Sequence, residues 1–230
     1  MHGNHINLQR NRKEWLYMEI KDNIIKAYLK NVYFVIGTPC GGKTTISRCL
    51  AQKYGFAFFD ADEEFQRHQH LSDSVAQPAM NKKFADADEF FFRPYQEYGR
   101  WLIDNTREQL DFIVLDLIRL SENQTVICDA HLTLKEAERI TDPDRVVFLV
   151  RNPQNLIDDY CHRPDHDDFN QYIHSASNPD LAKENCNKAI EYVTMEKYES
   201  IKSSPFFWLE RNENSTIEKT LQAVEKHFGF

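Results

Sequence analysis

The chain has 230 residues, enough for one α/β domain with a small lid. A formal charge of −8 excludes the basic field that sequence-independent nucleic-acid binding needs, so any phosphate site must be locally positive. No apolar run approaches the ~20 residues of a membrane span, the polar N-terminus lacks a signal-peptide core, and five cysteines without framework spacing indicate reduced thiols. The expectation is a cytoplasmic protein that engages neither a membrane nor a nucleic-acid polymer.

Residues 1 to 11 are polar. From Asn11 to Lys30, the spacing of Trp15, Met18, Ile24, Ile25, Tyr28 and Leu29 predicts an amphipathic helix. Residues 1–31 are therefore read as an N-terminal extension, packed on the domain's own surface or joining two copies. Both a monomer and a homodimer through this helix stay open.

Val32 to Ile36 reads as a buried strand, and Gly37-Thr38-Pro39-Cys40-Gly41-Gly42-Lys43-Thr44 completes the pattern GxxxxGK[ST]. A helix follows from Thr45 to Tyr54, with Ile46, Leu50, Ala51 and Tyr54 on one face. Strand, glycine loop and helix form the setting in which this motif carries meaning. Glycines let backbone N–H groups close around phosphate oxygens, and the helix start adds partial positive charge. Lys43 can reach the β- and γ-phosphates, and the Thr44 hydroxyl can ligate Mg²⁺. Residues 37 to 45, Thr45 included, are the expected ATP-binding set. A chance glycine turn is the plainer alternative, and the full motif in its setting outweighs it.

Gly55 ends this helix, and Phe56 to Phe59 predicts a short strand closing at Asp60-Ala61-Asp62. Residues two apart on a strand face one side, so both carboxylates can enter one site. Arg67 to Asp88 is polar and reads as a mobile excursion. Asp88 to Leu120 predicts helix in two pieces, because Pro94 is tolerated only in a first turn. Thr125 to Asp129 is the next strand, and Thr133 with Glu136 predicts a capping box. Val146 to Val150 is a strand, Asn152-Pro153 opens a helix, and Cys161 to Asn170 is irregular. Asn178-Pro179 starts a long helix through about Ser200. Phe206 to Leu209 is the fifth strand, and Ser215 with Glu218 is expected to cap a last helix ending near Gly229.

Strands alternating with helices imply a parallel sheet covered on both faces. Ligands of such sheets bind beyond the carboxyl ends of the strands. Gly37, Asp60, Asp129, Arg151 and Arg211 all follow predicted strands and should converge there.

On these motifs the chain resembles the phosphate-loop small-molecule kinases, and among them shikimate kinase, from Val32 to the C-terminus. The resemblance implies a three-layer phosphate-loop fold with a five-stranded parallel sheet over residues 32–230. It also implies a substrate-binding excursion at about 63–100 and a lid at about 155–175. Phe59-Asp60-Ala61-Asp62 resembles the family's D-x-D, whose first acid holds Mg²⁺ through water and whose second contacts the acceptor hydroxyl. Phe92-Arg93-Pro94-Tyr95-Gln96-Glu97 resembles its F-R-x-x-E, whose arginine grips a substrate carboxylate. His162-Arg163-Pro164 resembles the R-P of its lid, whose arginine touches ATP. The chain departs from the family in three places. A glycine triplet is replaced by Cys128-Asp129-Ala130-His131, a later substrate arginine is missing near Thr194, and the lid is acidic. These changes leave the reaction class and point away from shikimate itself.

The expected site is then Lys43, Asp62 and Arg163 for chemistry, with Asp62, Arg93 and Asp129 around a small anionic acceptor. Thr44 and Asp60 are placed at Mg²⁺, and Arg211 with Asn212 beside adenine. Asp129, at the end of a buried strand, competes with Asp60 for the metal, and the choice stays open. Arg93 has the plainer alternative of an ion pair with Glu97. Cys161, His162 and His166 crowd one loop without a second ligand pair, which argues against zinc. The reaction expected is ATP-dependent phosphorylation of a hydroxyl on a small metabolite. A nucleoside or nucleotide kinase, and a nucleotide-gated binding protein or NTPase with no acceptor, are the alternatives.

Overall fold

The computed structural model describes residues 19–160 and 167–230, the side chains of 157–160 aside. Its elements run α1 (Asp22–Tyr28), β1 (Val32–Gly37), α2 (Lys43–Tyr54), β2 (Ala57–Asp60), α3 (Phe65–Leu71), α4 (Ala87–Phe91) and α5 (Tyr95–Leu120). There follow β3 (Val126–Asp129), α6 (Leu134–Ile140), a 3-10 turn, β4 (Val146–Arg151), α7 (Pro153–Tyr160), α8 (Asp167–His174), α9 (Pro179–Lys202), β5 (Trp208–Arg211) and α10 (Ile217–Phe228). The described strands form one sheet, parallel throughout, in the order β2-β3-β1-β4-β5.

Strand alternation splits the core into two layers. Phe34, Ile36, Phe148 and Val150 face a cluster shared with Leu29, Ile113, Leu117 and Ile201. Val35, Val147 and Leu149 face the other way, onto Ile46 and Leu50 of α2 and Val224 and Phe228 of α10. Sheet and two helical layers give the three-layer α/β architecture. A third cluster, rich in aromatic rings, lies apart among α4, α5, α8 and α9, and Cys40 of the phosphate loop packs against it.

Every strand ends on a residue singled out by the sequence: Gly37, Asp60, Asp129, Arg151 and Arg211. Asp60 pairs in register with Asp129, and Arg151 with Arg211. The fifth strand sits two residues later than expected. Phe206 is buried in the core before the ladder begins, while Phe148 N–H already donates to the Phe207 carbonyl at 3.0 Å. Apolar burial and ladder pairing are separate demands, and here they fall on neighbouring residues.

Other expectations change in detail. The described part of the N-terminal helix is α1 alone, and Trp15 and Met18 lie outside the described residues. In α1, Ile25 is buried while Ile24 and Tyr28 are exposed; Asp22 pairs with Arg139 at 3.2 Å and Lys26 with Asp142 at 3.2 Å. The last helix is capped by Thr216, whose hydroxyl accepts from Lys219 N–H, rather than by Ser215, which accepts from Asn212 N–H. The Thr133–Glu136 capping box forms as expected, and Pro94 stands at the break between α4 and α5.

The excursion after α3 is pinned, not loose. Both carboxylate oxygens of Glu108 accept from the Ala79 and Met80 amides at 3.0 and 2.8 Å. Trp101 Nε1 and Asn105 Nδ2 donate to the Ala79 carbonyl, and the Met80 side chain is buried. A polar sequence hid one apolar anchor and a ready set of partners on α5.

Candidate active site

The phosphate loop is pressed against the end of β4. A Cβ on Gly37 would lie 2.0 Å from the Leu149 carbonyl oxygen, and one on Gly41 would lie 2.3 Å from it. Only glycine fits at either place. The loop is held there by Thr38, fully buried, whose N–H donates to Leu149 O at 3.1 Å while its hydroxyl accepts from Arg151 N–H at 2.8 Å. Cys40 takes a left-handed φ of 55°, and the next N–H, that of Gly41, donates to the Thr38 carbonyl at 3.4 Å. Arg211 Nη1 donates to the Cys40 carbonyl at 3.0 Å, and Arg151 Nη1 to the Arg211 carbonyl at 3.1 Å. The two arginines thus brace the loop through its backbone.

Lys43, almost fully buried, donates from Nζ to the Thr38 carbonyl at 3.0 Å, so its charge hangs over the loop. The Thr44 hydroxyl donates to Asp129 Oδ2 at 2.6 Å. A hydroxyl and a strand-end carboxylate in contact beside the glycine loop fit the requirements of hydrated Mg²⁺, which keeps most of its waters and takes few protein ligands. Thr44 thus meets Asp129, not Asp60.

Asp60 lies one strand over, with its side chain 10% exposed and Arg48 Nη2 3.9 Å away. Burial first, then the charges of Asp129 and Asp62, push its carboxyl above the ordinary value. Its Oδ1 accepts from Asp62 N–H at 3.0 Å, closing a tight turn. Asp62 reaches outward, its carboxylate 3.4 Å from His131 Nε2. These acids and the loop share one edge of the sheet.

Beside the loop a cleft of about 190 Å³ opens between β5 and the start of α10. Gly42, Thr45, Leu209, Glu210, Ser215 and Thr216 are among its walls, with Arg211 at the rim. Leu209 and Ile217 give this cleft apolar wall, and Thr45, Ser215, Thr216 and Thr220 give it hydroxyls.

Arg93 behaves differently. Its guanidinium is boxed by four rings, those of Phe84, Tyr98, Phe90 and Trp101, with Cζ 4.4, 4.5, 4.8 and 4.8 Å from their centroids. Nε, Nη1 and Nη2 are all buried without a hydrogen-bond partner, and desolvation pulls the group below its ordinary pKa. The alternative of a Glu97 ion pair is not what forms; Glu97 meets Lys82 instead, at 3.4 Å. Arg93 is therefore stacked inside the aromatic cluster, and its N–H groups do not meet the acids of the edge. Arg163, Cys161, His162 and His166 lie outside the described residues.

Lys197 escaped the sequence reading. It sits on α9, three residues past Thr194 and so on the same helix face. Burial foremost, then the like charge of Lys43, bring its ammonium down from 10.5 to about 7, with Glu136 opposing. Its sequence signal is a lysine about one helical turn beyond Thr194.

Among the described residues no helix is long and apolar enough to cross a membrane. A family model described as an AAA domain matches residues 34–178. No curated protein matches the chain. Among solved structures, the chain is similar to shikimate kinase from Acinetobacter baumannii in complex with shikimate (17% identity, 85% of this chain and 90% of that one, TM-score 0.45). It is also similar to shikimate kinase from Bacteroides thetaiotaomicron (16% identity, 86% and 98%, TM-score 0.48) and a gluconokinase from Sinorhizobium meliloti 1021 (13% identity, 86% and 92%, TM-score 0.43). The family model spans more than half of the chain and takes in the glycine loop, the acids of β2 and β3 and the whole of β4: the chain belongs to the AAA-domain family, with a phosphate-loop α/β fold.

Proposed function

We propose that the protein transfers the γ-phosphoryl group of ATP to a hydroxyl of a small, anionic metabolite. The observation that carries this reading is the contact of Thr44 Oγ1 with Asp129 beneath a complete phosphate loop, with two further acids alongside. The triphosphate would lie along residues 37 to 45, with Lys43 over its outer phosphates and the base in the cleft by Arg211. Thr44 and Asp129 would hold Mg²⁺, directly and through water, which leaves Asp60 as a neighbour that tightens the field. When bound, Mg²⁺ offsets charge on the β- and γ-phosphate oxygens.

Phosphoryl transfer passes through a loose transition state and needs little base assistance. Asp62 would chiefly orient the acceptor hydroxyl and take its proton late, with His131 beside it. Lys43 and Lys197 would supply positive field for the transferred group and for the acceptor's own anion. Arg93 would join them only by leaving its aromatic box, and Arg163 is the lid cation of this reading.

The test is a coupled ADP-release screen over sugars, cyclitols and nucleotides. Acceptor-dependent turnover abolished by Lys43→Ala is the expected result; turnover that survives that substitution sinks the assignment. A nucleotide acceptor would shift the reading to a nucleotide kinase, and ADP release equal with and without every acceptor would leave a plain NTPase. The exposed position of Asp62, open to an incoming hydroxyl, favours the acceptor reading.

A further inference from the structure

Behind the Asp60-Ala61-Asp62 turn, a line of buried side chains leads away from the site along the seam between α3 and α5. Asp116 stands at its far end. Burial works against its charge, yet hydrogen bonds from His68 and Arg67 hold its carboxyl below the ordinary value. A carboxylate only accepts, so His68 Nε2, 2.8 Å from Asp116 Oδ2, carries the imidazole proton. Nδ1 is then an acceptor, and it receives Gln109 Nε2 at 3.1 Å. The other hydrogen of the Gln109 amide goes to the Ala61 carbonyl at 2.6 Å. With the Gln109 amide donating to Nδ1, the imidazole proton falls on Nε2, which faces Asp116 Oδ2 with Arg67 Nη2 3.2 Å away.

The line reaches the carbonyl of Ala61, the residue between the two acids. Ala61 is itself clamped on its other side, its N–H donating to the Asp129 carbonyl at 3.0 Å. His68 is fully buried and stacked on Phe112, and Gln109 is nearly so. Apolar residues would fill this seam without the desolvation that three polar side chains bring. Glu64, His68 and Asp116 have the spacing of a cation site. Arg67 already stands there, donating to Glu64 at 2.6 Å and to Asp116, so the cluster has its positive charge.

We propose that Gln109 is the positioning residue for the two acids: through the Ala61 carbonyl it fixes how Asp60 and Asp62 are aimed, and His68 with Asp116 holds its amide in place. The inference rests on the phosphotransferase reading for its catalytic consequence, but the hold on the turn can be measured without it. Gln109→Leu removes both donated bonds at similar volume. His68→Asn keeps an acceptor where Nδ1 stood, and His68→Leu keeps none.

Amide hydrogen exchange of the full-length protein reads the turn directly. Gln109→Leu and His68→Leu should speed exchange in the 60–64 segment about tenfold or more, while His68→Asn stays near the parent. In ADP release, kcat should fall on the order of tenfold to a hundredfold in the two leucine variants, as expected for slightly misplaced groups. The KM for MgATP and the melting temperature should hold, and His68→Asn should recover most of the rate. Unchanged exchange, or a rate loss that follows melting temperature with no recovery in His68→Asn, overturns the inference. Faster exchange combined with ADP release indifferent to Lys43→Ala would keep the hold on the turn and discard the phosphotransferase reading.

Discussion

The phosphate loop and the aromatic box around Arg93 are built on opposite principles. Around the phosphate loop, Thr38, Lys43, Thr44 and Arg211 are each engaged in a directional bond to backbone or carboxylate. Around Arg93, a full cation is enclosed by rings and donates to nothing. Directional bonds fix a geometry in advance, which is what phosphate charge stabilisation needs. Ring faces hold a cation by a broad attraction worth on the order of 2 kcal/mol or more when desolvated. That attraction tolerates sliding and rotation. The difference separates a rigid nucleotide half from an adaptable aromatic half.

The sharpest break of this contrast is in the rigid half. Asp129→Asn keeps the shape and loses the charge next to Thr44, and turnover should fall on the order of a hundredfold or more, with the fold intact by circular dichroism. A loss smaller than threefold would remove Asp129 from the metal assignment. In the adaptable half the expected sign reverses for stability. Arg93→Met exchanges an unpaired buried charge for an apolar side chain of similar length, so the melting temperature should stay level or rise. A strong destabilisation would mean that the guanidinium has partners in solution other than the four rings.

Lys197 tests the field between the halves. Its folded pKa of about 7 lies below the ordinary 10.5, so the unfolded chain holds more protons between those values. Stability therefore rises with pH across that window: the burden of the desolvated ammonium is full below pH 7 and fades toward 10.5. Urea midpoints should climb between pH 7 and pH 9 more steeply in the parent protein than in Lys197→Met, and equal slopes would refute the assignment. An anion placed beside Lys197 restores its proton, so MgATP binding at about pH 8 should take up protons, measurable by calorimetry in buffers of different ionisation enthalpy. The smallest effect belongs to neither half. Thr133→Ala removes the capping box of α6 and should cost about 1 kcal/mol by denaturant unfolding, with turnover unchanged.

What the sequence disclosed follows the range of the forces involved. The glycine loop with its flanking strand and helix, and the carboxylates ending β2 and β3, are local patterns legible in the sequence, whereas Asp62 falls in the turn beyond β2 and reaches outward instead of sharing a strand face with Asp60. Long-range pairing was less visible: Phe206 and Phe207 satisfy the core just before β5 starts, so apolar content alone displaced the strand by two residues. The excursion read over Arg67 to Asp88 looked loose, yet it begins inside α3, and the partners of the rest, Trp101, Asn105 and Glu108, lie on another helix. Arg93 was found by its motif, but its surroundings were not, since Phe84 and Trp101 reach it from outside the motif. Gln109 and His68 carry no motif at all, and only the directions of their hydrogen bonds give them a role.

The Leu149 carbonyl has a consequence for which changes the chain can tolerate. Two glycines four positions apart press on the same oxygen, so a methyl group at either would pry the loop and β4 apart. Position 40 between them already accepts a side chain at a left-handed φ, and asparagine or glycine there would be borne with little strain. A saturation library across this loop should therefore show two closed gates around one open one, a pattern imposed by one backbone atom of a neighbouring strand.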